Sequence, residues 1–203
     1  YTLLPGFGIT GEYVYAMQHP YAYNFAGENM PILDPVNIHM ARGGVFWNNS
    51  WMQLVSQVSF IRQSNYKWRT QFNNPNNKGD KTDFVILPIT WDVQTFGWTT
   101  DVVLQPAKGF TLHGLFTLQD PRYKNYVIDL TFKDGTTHHA DFSNKKTTNV
   151  SDMIIELNPS YTYDRFNIWL SARYSSSYYI NKINTLKFNG LWTTFAGVSY
   201  ALN

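Results

Sequence analysis

Apolar and polar residues alternate with period two through most of this chain, which restricts it to β-strands, because a helix would repeat them every three or four residues. The pattern is cleanest where Phe166, Ile168, Leu170, Ala172 and Tyr174 take one parity and Asn167, Ser171 and Arg173 the other. Met52, Leu54, Val58 and Phe60 oppose Gln53, Gln57, Ser59 and Gln63 in the same way. About eight such segments can be drawn, over 5–18, 39–47, 51–63, 91–104, 110–119, 151–161, 165–174 and 186–202. Short turns at 48–49, 105–109 and 163–165 alternate strictly with long links at 19–38, 65–90, 120–150 and 175–185. A membrane barrel with tight turns on one side and long loops on the other gives that rhythm. A Greek-key sandwich has less reason to.

Segments of about 10–14 residues suit a tilted membrane-spanning strand and exceed the usual 5–6. Their polar parity carries Gln, Thr, Asn, Ser, His and Arg, which in a dry core would cost about 1–3 kcal/mol for each unpaired group. A wet lumen removes that cost, and so does solvent outside a sandwich. Aromatic residues make up 17% of the chain and gather near strand ends. Trp47, Trp51, Phe110, Tyr161, Tyr163, Phe166 and Tyr200 lie by the short turns; Tyr66, Trp68, Trp91, Tyr123, Tyr126, Tyr174, Tyr178 and Tyr179 lie by the long links. Two interfacial girdles are expected from that spacing. A formal charge of +2 aims no strong field at nucleic acid, and the lack of Cys excludes disulfides and thiolate chemistry. No apolar run approaches the roughly 18 residues of a helical span, which says nothing about strands. With no signal peptide at Tyr1, the start reads as mature, trimmed or internal.

Catalytic signals are poor, and no enzyme is expected. No nucleophile elbow, P-loop, zinc-binding helix or dinucleotide fingerprint occurs. His138 and His139 are adjacent, so on a strand they point to opposite faces and do not make a metal pair. Asp80 and Asp83 among asparagines read as a solvated loop rather than a calcium site, and Asp129, Asp134 and Asp141 lack any testable glycosidase spacing. No metal or cofactor is expected. Lys133-Asp134-Gly135-Thr136 between alternating runs predicts a hairpin with a type I′ turn standing on the long link at 120–150. Arg62, Arg165 and Arg173 read as polar-parity lumen residues paired with nearby acids. Trp68 with Arg69, and Arg122 with Tyr123, are the candidate substrate-binding residues, because aromatic-plus-Arg surfaces often form recognition patches.

The wording of several segments resembles the C-terminal barrel region of TonB-dependent outer-membrane receptors. The resemblance lies in the run from Val93-Gln94-Thr95-Phe96-Gly97-Trp98 through Lys108-Gly109-Phe110-Thr111-Leu112-His113-Gly114 to Gln119-Asp120-Pro121-Arg122-Tyr123. It continues in Ser171-Ala172-Arg173-Tyr174 and Trp192-Thr193-Thr194-Phe195-Ala196-Gly197-Val198-Ser199-Tyr200. It implies an all-β antiparallel transmembrane barrel of 22 strands, of which residues 1–203 supply about eight with long extracellular loops, the plug domain and remaining strands lying elsewhere. It further implies TonB-dependent uptake of a scarce nutrient (siderophore, cobalamin, glycan or peptide) across the outer membrane of a Gram-negative bacterium. The implied partners are outer-membrane lipid, the plug domain, TonB through the absent N-terminal part, and a surface lipoprotein lid.

Two other architectures share the pattern. One is a complete eight-stranded barrel acting as anchor or adhesin, which would pair its first strand with its last. The other is a soluble carbohydrate-binding β-sandwich, which would cover its apolar face with a second sheet.

Overall fold

The computed structural model describes residues 2–19, 34–76 and 83–202, and these form strands without a helix. One antiparallel sheet contains, in spatial order, β1 (Thr2–Leu4), β2 (Phe7–Gln18), β3 (Val36–Asn48), β4 (Met52–Asn73), β5 (Phe84–Ala107), β6 (Phe110–Lys124), β9 (Met153–Tyr163), β10 (Phe166–Ser175) and β13 (Leu191–Tyr200). Two ribbons stand outside it: β7 (Val127–Thr131) pairs β8 (Thr137–Asp141), and β11 (Tyr178–Tyr179) pairs β12 (Lys187–Phe188). Eight long strands therefore run as a meander, with β1 as a short addition. Among the described residues the first and last strands do not pair with each other. That pairing is the one a closed eight-stranded barrel requires.

Partners across the ladder share a face, so the register assigns the faces. Ile9, Val45, Ser56, Thr100, Phe116, Ile155, Tyr174 and Trp192 are successive partners in a single row crossing all eight strands. Val58 and Phe96 belong to the same face, 63% and 60% exposed. The opposite face carries Thr10, Gln57, Thr99 and Thr117 in one row. Its charges are paired: Arg42 with Glu12, His113 Nε2 with Asp101 Oδ1 at 3.2 Å, and Arg173 Nε with Glu156 Oε1 at 3.3 Å. No second sheet covers the apolar face among the described residues. A sheet with one face broadly apolar and bare and the other polar suits a wall between hydrocarbon and a wet lumen. A sandwich buries its apolar side instead.

The short turns fall where the sequence places them. At Lys108-Gly109, Gly109 has φ +80°, and a Cβ there would lie 2.1 Å from the Thr162 carbonyl oxygen, so only glycine fits. Asp164 turns at φ 51°, a conformation Asp tolerates better than most residues.

Several expectations need correction. The long link at 65–90 is mostly strand: β4 continues to Asn73, and β5 starts at Phe84. Val85, Ile86 and Leu87, with Phe72 across the ladder, extend the ladder beyond the clean alternation. Of the three arginines, Arg173 faces the polar side as expected. Arg165 lies in the turn after β9, and Arg62 shares the parity of Phe60, not of Gln63. The long link at 19–38 lies largely outside the described residues, as does Asp80.

Candidate functional site

The loop-side end of the sheet is where the wall acquires a packed interior. In β4, Ser64 and Asn65 both lie opposite Asp92, between the partners Gln63↔Val93 and Tyr66↔Trp91. This is a β-bulge, one extra residue in one strand, and Asn65 takes φ 61° to make it. Its backbone N–H donates to Asp92 Oδ1 at 3.0 Å, and its side-chain amide donates to the Pro35 carbonyl at 3.3 Å. The extra residue reverses the parity of β4. Beyond it Tyr66, Trp68 and Phe72 share the polar-side face with Trp91, Ile89 and Val85 of β5.

Onto this inner face packs the hairpin β7–β8. Ile128 and Leu130 of the hairpin, with Phe132 and Tyr126, are buried against Ile89 and Tyr123, and Phe72, Val85, Trp91, Val93, Ala140 and Phe142 complete the cluster. Tyr126 is fully buried, stacked on Trp91 at 4.8 Å and 12° and edge-on to Tyr123 at 5.1 Å. The hairpin thus folds toward the polar side of the sheet. The hairpin itself was expected, but its turn is not type I′. Only Gly135 has positive φ (+81°), and Gly135 N–H donates to Phe132 O at 3.0 Å. This is the three-residue loop in which a left-handed glycine follows the turn.

Neighbouring loops are tied to the hairpin. Asn74 donates from Nδ2 to Asp83 Oδ2 and to Asp134 Oδ2, both at 2.8 Å, and Asn76 Nδ2 donates to Thr136 Oγ1 at 3.2 Å. From the other side Lys182 donates to the Tyr126 hydroxyl and lies over the rings of Tyr126 and Trp91, 5.0 and 5.7 Å from their centroids. Burial pushes the Tyr126 phenol up to about 12, so the hydroxyl stays protonated. Asn184 exchanges bonds with the backbone of Lys146, accepting from its N–H at 2.7 Å and donating to its carbonyl at 3.0 Å. On the hairpin's exposed face His139 Nδ1 meets Asp129 Oδ1 at 2.6 Å, and this contact raises the His139 imidazole above its ordinary value. His138 pairs with Leu130 on the other side, as the adjacency predicted.

The structure separates the four candidate binding residues. Trp68 and Tyr123 lie on the inner face, and Arg69 and Arg122 on the outer. Trp68 is 58% exposed. Tyr123 is buried, its hydroxyl 3.3 Å from Thr148 Oγ1. Arg122 is held by Asp120 Oδ2 at 2.8 Å and by the Asn144 carbonyl at 3.0 Å. Neither Trp68–Arg69 nor Arg122–Tyr123 forms a patch, because neighbours along a strand point apart. The aromatics expected as a second girdle divide likewise: Trp91, Tyr123 and Tyr126 form the loop core, while Tyr174 lies on the outer face opposite Trp192. The parity-switching bulge was not anticipated. No glycine or proline marks it, and the pair Ser64-Asn65, set inside an otherwise alternating run, was its only trace.

Comparison with solved structures gives the same architecture. The siderophore receptor PiuA from Acinetobacter baumannii aligns over 100% of this chain with a TM-score of 0.75 and 13% identity. The ferric-catecholate import receptor Fiu from Escherichia coli K12 also aligns over 100%, at 0.66 and 18%. The chain shares its fold with a stretch of the barrel of these TonB-dependent receptors. The ferric yersiniabactin uptake receptor FyuA from Yersinia pestis aligns over 98%, at 0.72 and 8%. The chain covers 28% of each of these receptors. No family model and no curated protein matches the sequence. These neighbours are transport receptors rather than enzymes.

Proposed function

We propose that the chain supplies barrel wall and ligand-facing loops to a TonB-dependent receptor for a scarce nutrient in the outer membrane of a Gram-negative bacterium. The carrying observation is the single sheet of eight long strands, bare and apolar on one face and polar on the other, with its loops folded over the polar side. Its likeness to import receptors along the whole chain supports the same reading. Such a wall makes and breaks no bond. A ligand captured at the mouth passes down the polar face once a plug, energised by TonB, moves aside. The plug and the TonB contact belong to parts of the receptor outside this chain, and a surface lipoprotein would be a further partner at the mouth. Siderophore, cobalamin, glycan and peptide all fit a mouth lined by Trp68 and polar loop groups, and ferric siderophores are favoured by the neighbours' cargo.

The test is uptake of radiolabelled ferric siderophore by iron-starved cells, with both functions intact, with the gene deleted, or with the gene intact and TonB function deleted. Uptake should fall equally in both deletions. Uptake that needs the gene but not TonB would contradict energised transport. A protein that stays monomeric in buffer without detergent would remove the membrane reading altogether.

A further inference from the structure

We infer that Asn189 is a site of spontaneous main-chain modification, closing on the Gly190 nitrogen to a succinimide that water opens to isoaspartate or aspartate. The chain holds one Asn-Gly step, Asn189-Gly190, and one Asp-Gly step, Asp134-Gly135. Closure needs an unhindered nitrogen on the following residue and a side-chain carbonyl free to reach it. Asn189 and Gly190 are both exposed and lie outside any strand. Among the described residues no hydrogen bond holds the Asn189 side chain. The competing steps are held. The Asp134 carboxylate accepts from the Thr136 N–H at 2.9 Å and from Asn74 Nδ2 at 2.8 Å. Those bonds hold its carboxyl below the usual carboxylate range, so it stays ionised and is a poor electrophile. Asn184 has its amide fixed on the Lys146 backbone, at 2.7 and 3.0 Å, and is followed by the β-branched Thr185.

Packing imposes the glycine. A Cβ at position 190 would lie 2.9 Å from both the Ser175 carbonyl oxygen and the Tyr174 hydroxyl, a close approach that only glycine permits. In the reaction the Gly190 nitrogen gives up its proton and bonds to Asn189 Cγ, the Cγ–Nδ2 bond breaks, and ammonia leaves. Water then adds to one of the two ring carbonyls. Opening at the main-chain carbonyl leaves isoaspartate, with an extra methylene in the main chain; opening at the other leaves aspartate. Only Asn189 and Gly190 separate Phe188, paired with Tyr178 in the ribbon, from Leu191, paired with Ser175 in the sheet. Ten ladder pairs back the sheet side and two the ribbon side, so the ribbon yields to the added length. That ribbon carries Lys182 and Asn184, its ties to Tyr126 and Lys146. Conversion to isoaspartate therefore loosens one loop from the next.

The test incubates the protein that contains this chain, in its native full length, at mildly alkaline pH in detergent micelles. Peptide mapping follows each asparagine, with electron-transfer fragmentation to tell isoaspartate from aspartate. The peptide around Asn189, released by proteolysis, runs alongside to give the rate of an unrestrained chain. Conversion in the native protein should concentrate at Asn189 and rise in proportion to hydroxide. Amide exchange across 178–188 should quicken as isoaspartate accumulates. N189Q, whose longer side chain closes its ring far more slowly, should lose the conversion and the faster exchange together. Freshly prepared N189D carries the charge without the extra methylene and should keep wild-type exchange. A native protein that stays unconverted while the free peptide converts overturns the proposal, and so does equal conversion at Asn184.

Discussion

His139 shows how far one side chain's chemistry can be followed. Its contact with Asp129 raises the imidazole above 6.5, the ordinary value, first through the hydrogen bond and then through charge attraction. The folded value then exceeds the unfolded one, so the pair supports the hairpin fully below pH 6.5 and loses that support as pH climbs through the raised value. Asp129→Asn should return the His139 titration, followed by NMR, toward 6.5 and remove the pH dependence of amide protection in β7–β8. An unchanged titration midpoint in the variant would show that Asp129 is not the cause. At this scale the sequence was a partial guide. It put His138 and His139 on opposite faces correctly, from strand geometry alone. It could not tell that Tyr123 is buried while Trp68 is open, because burial depends on a hairpin arriving from later in the chain.

Elements were more legible where they obey one rule throughout. The uninterrupted alternation of β10 gave its bounds within a residue, and Gly109 and Asp164 marked their turns. Strand extensions beyond the bulge were harder to read, since β4 and β5 lose clean alternation where the inner face gains the hairpin. The hairpin above them depends on Tyr126, whose ring touches Trp91, Tyr123, Phe142 and Lys182 together. Tyr126→Ala should cost about 3–5 kcal/mol locally, as large-to-small changes of a buried aromatic do. Hydrogen exchange should quicken across 124–148 and 178–188 while β2, β3 and the lower half of β4 keep their protection. Uniform acceleration through the wall would mean that loops and wall unfold as one unit. Tyr126→Phe loses only the bond with Lys182 and should cost about 1 kcal/mol.

For the molecule as a whole, the proposed reading places two adjacent residues in different solvents. Val58 lies six residues above Met52 on the bare apolar face, and Gln57 lies on the polar one. Val58→Arg should destabilise the wall in lipid vesicles by about 2–4 kcal/mol, the cost of a cation near the middle of the bilayer, and Gln57→Arg by little. Equilibrium urea unfolding of both variants, side by side, measures the difference; equal costs would contradict the assignment of faces. The bulge at Asn65 gives this alternation an unexpected point of genetic tolerance. Length changes in the loops above it would be absorbed by the loops themselves. Loss of the Asn65 codon would restore an unbroken pleat with Tyr66 still opposite Trp91, so Tyr66, Trp68 and Phe72 would keep the inner face and the hairpin its seat. A mutational scan of this gene should therefore find a single in-frame deletion better tolerated at position 65 than at Ser59, where the residues up to the bulge would exchange faces.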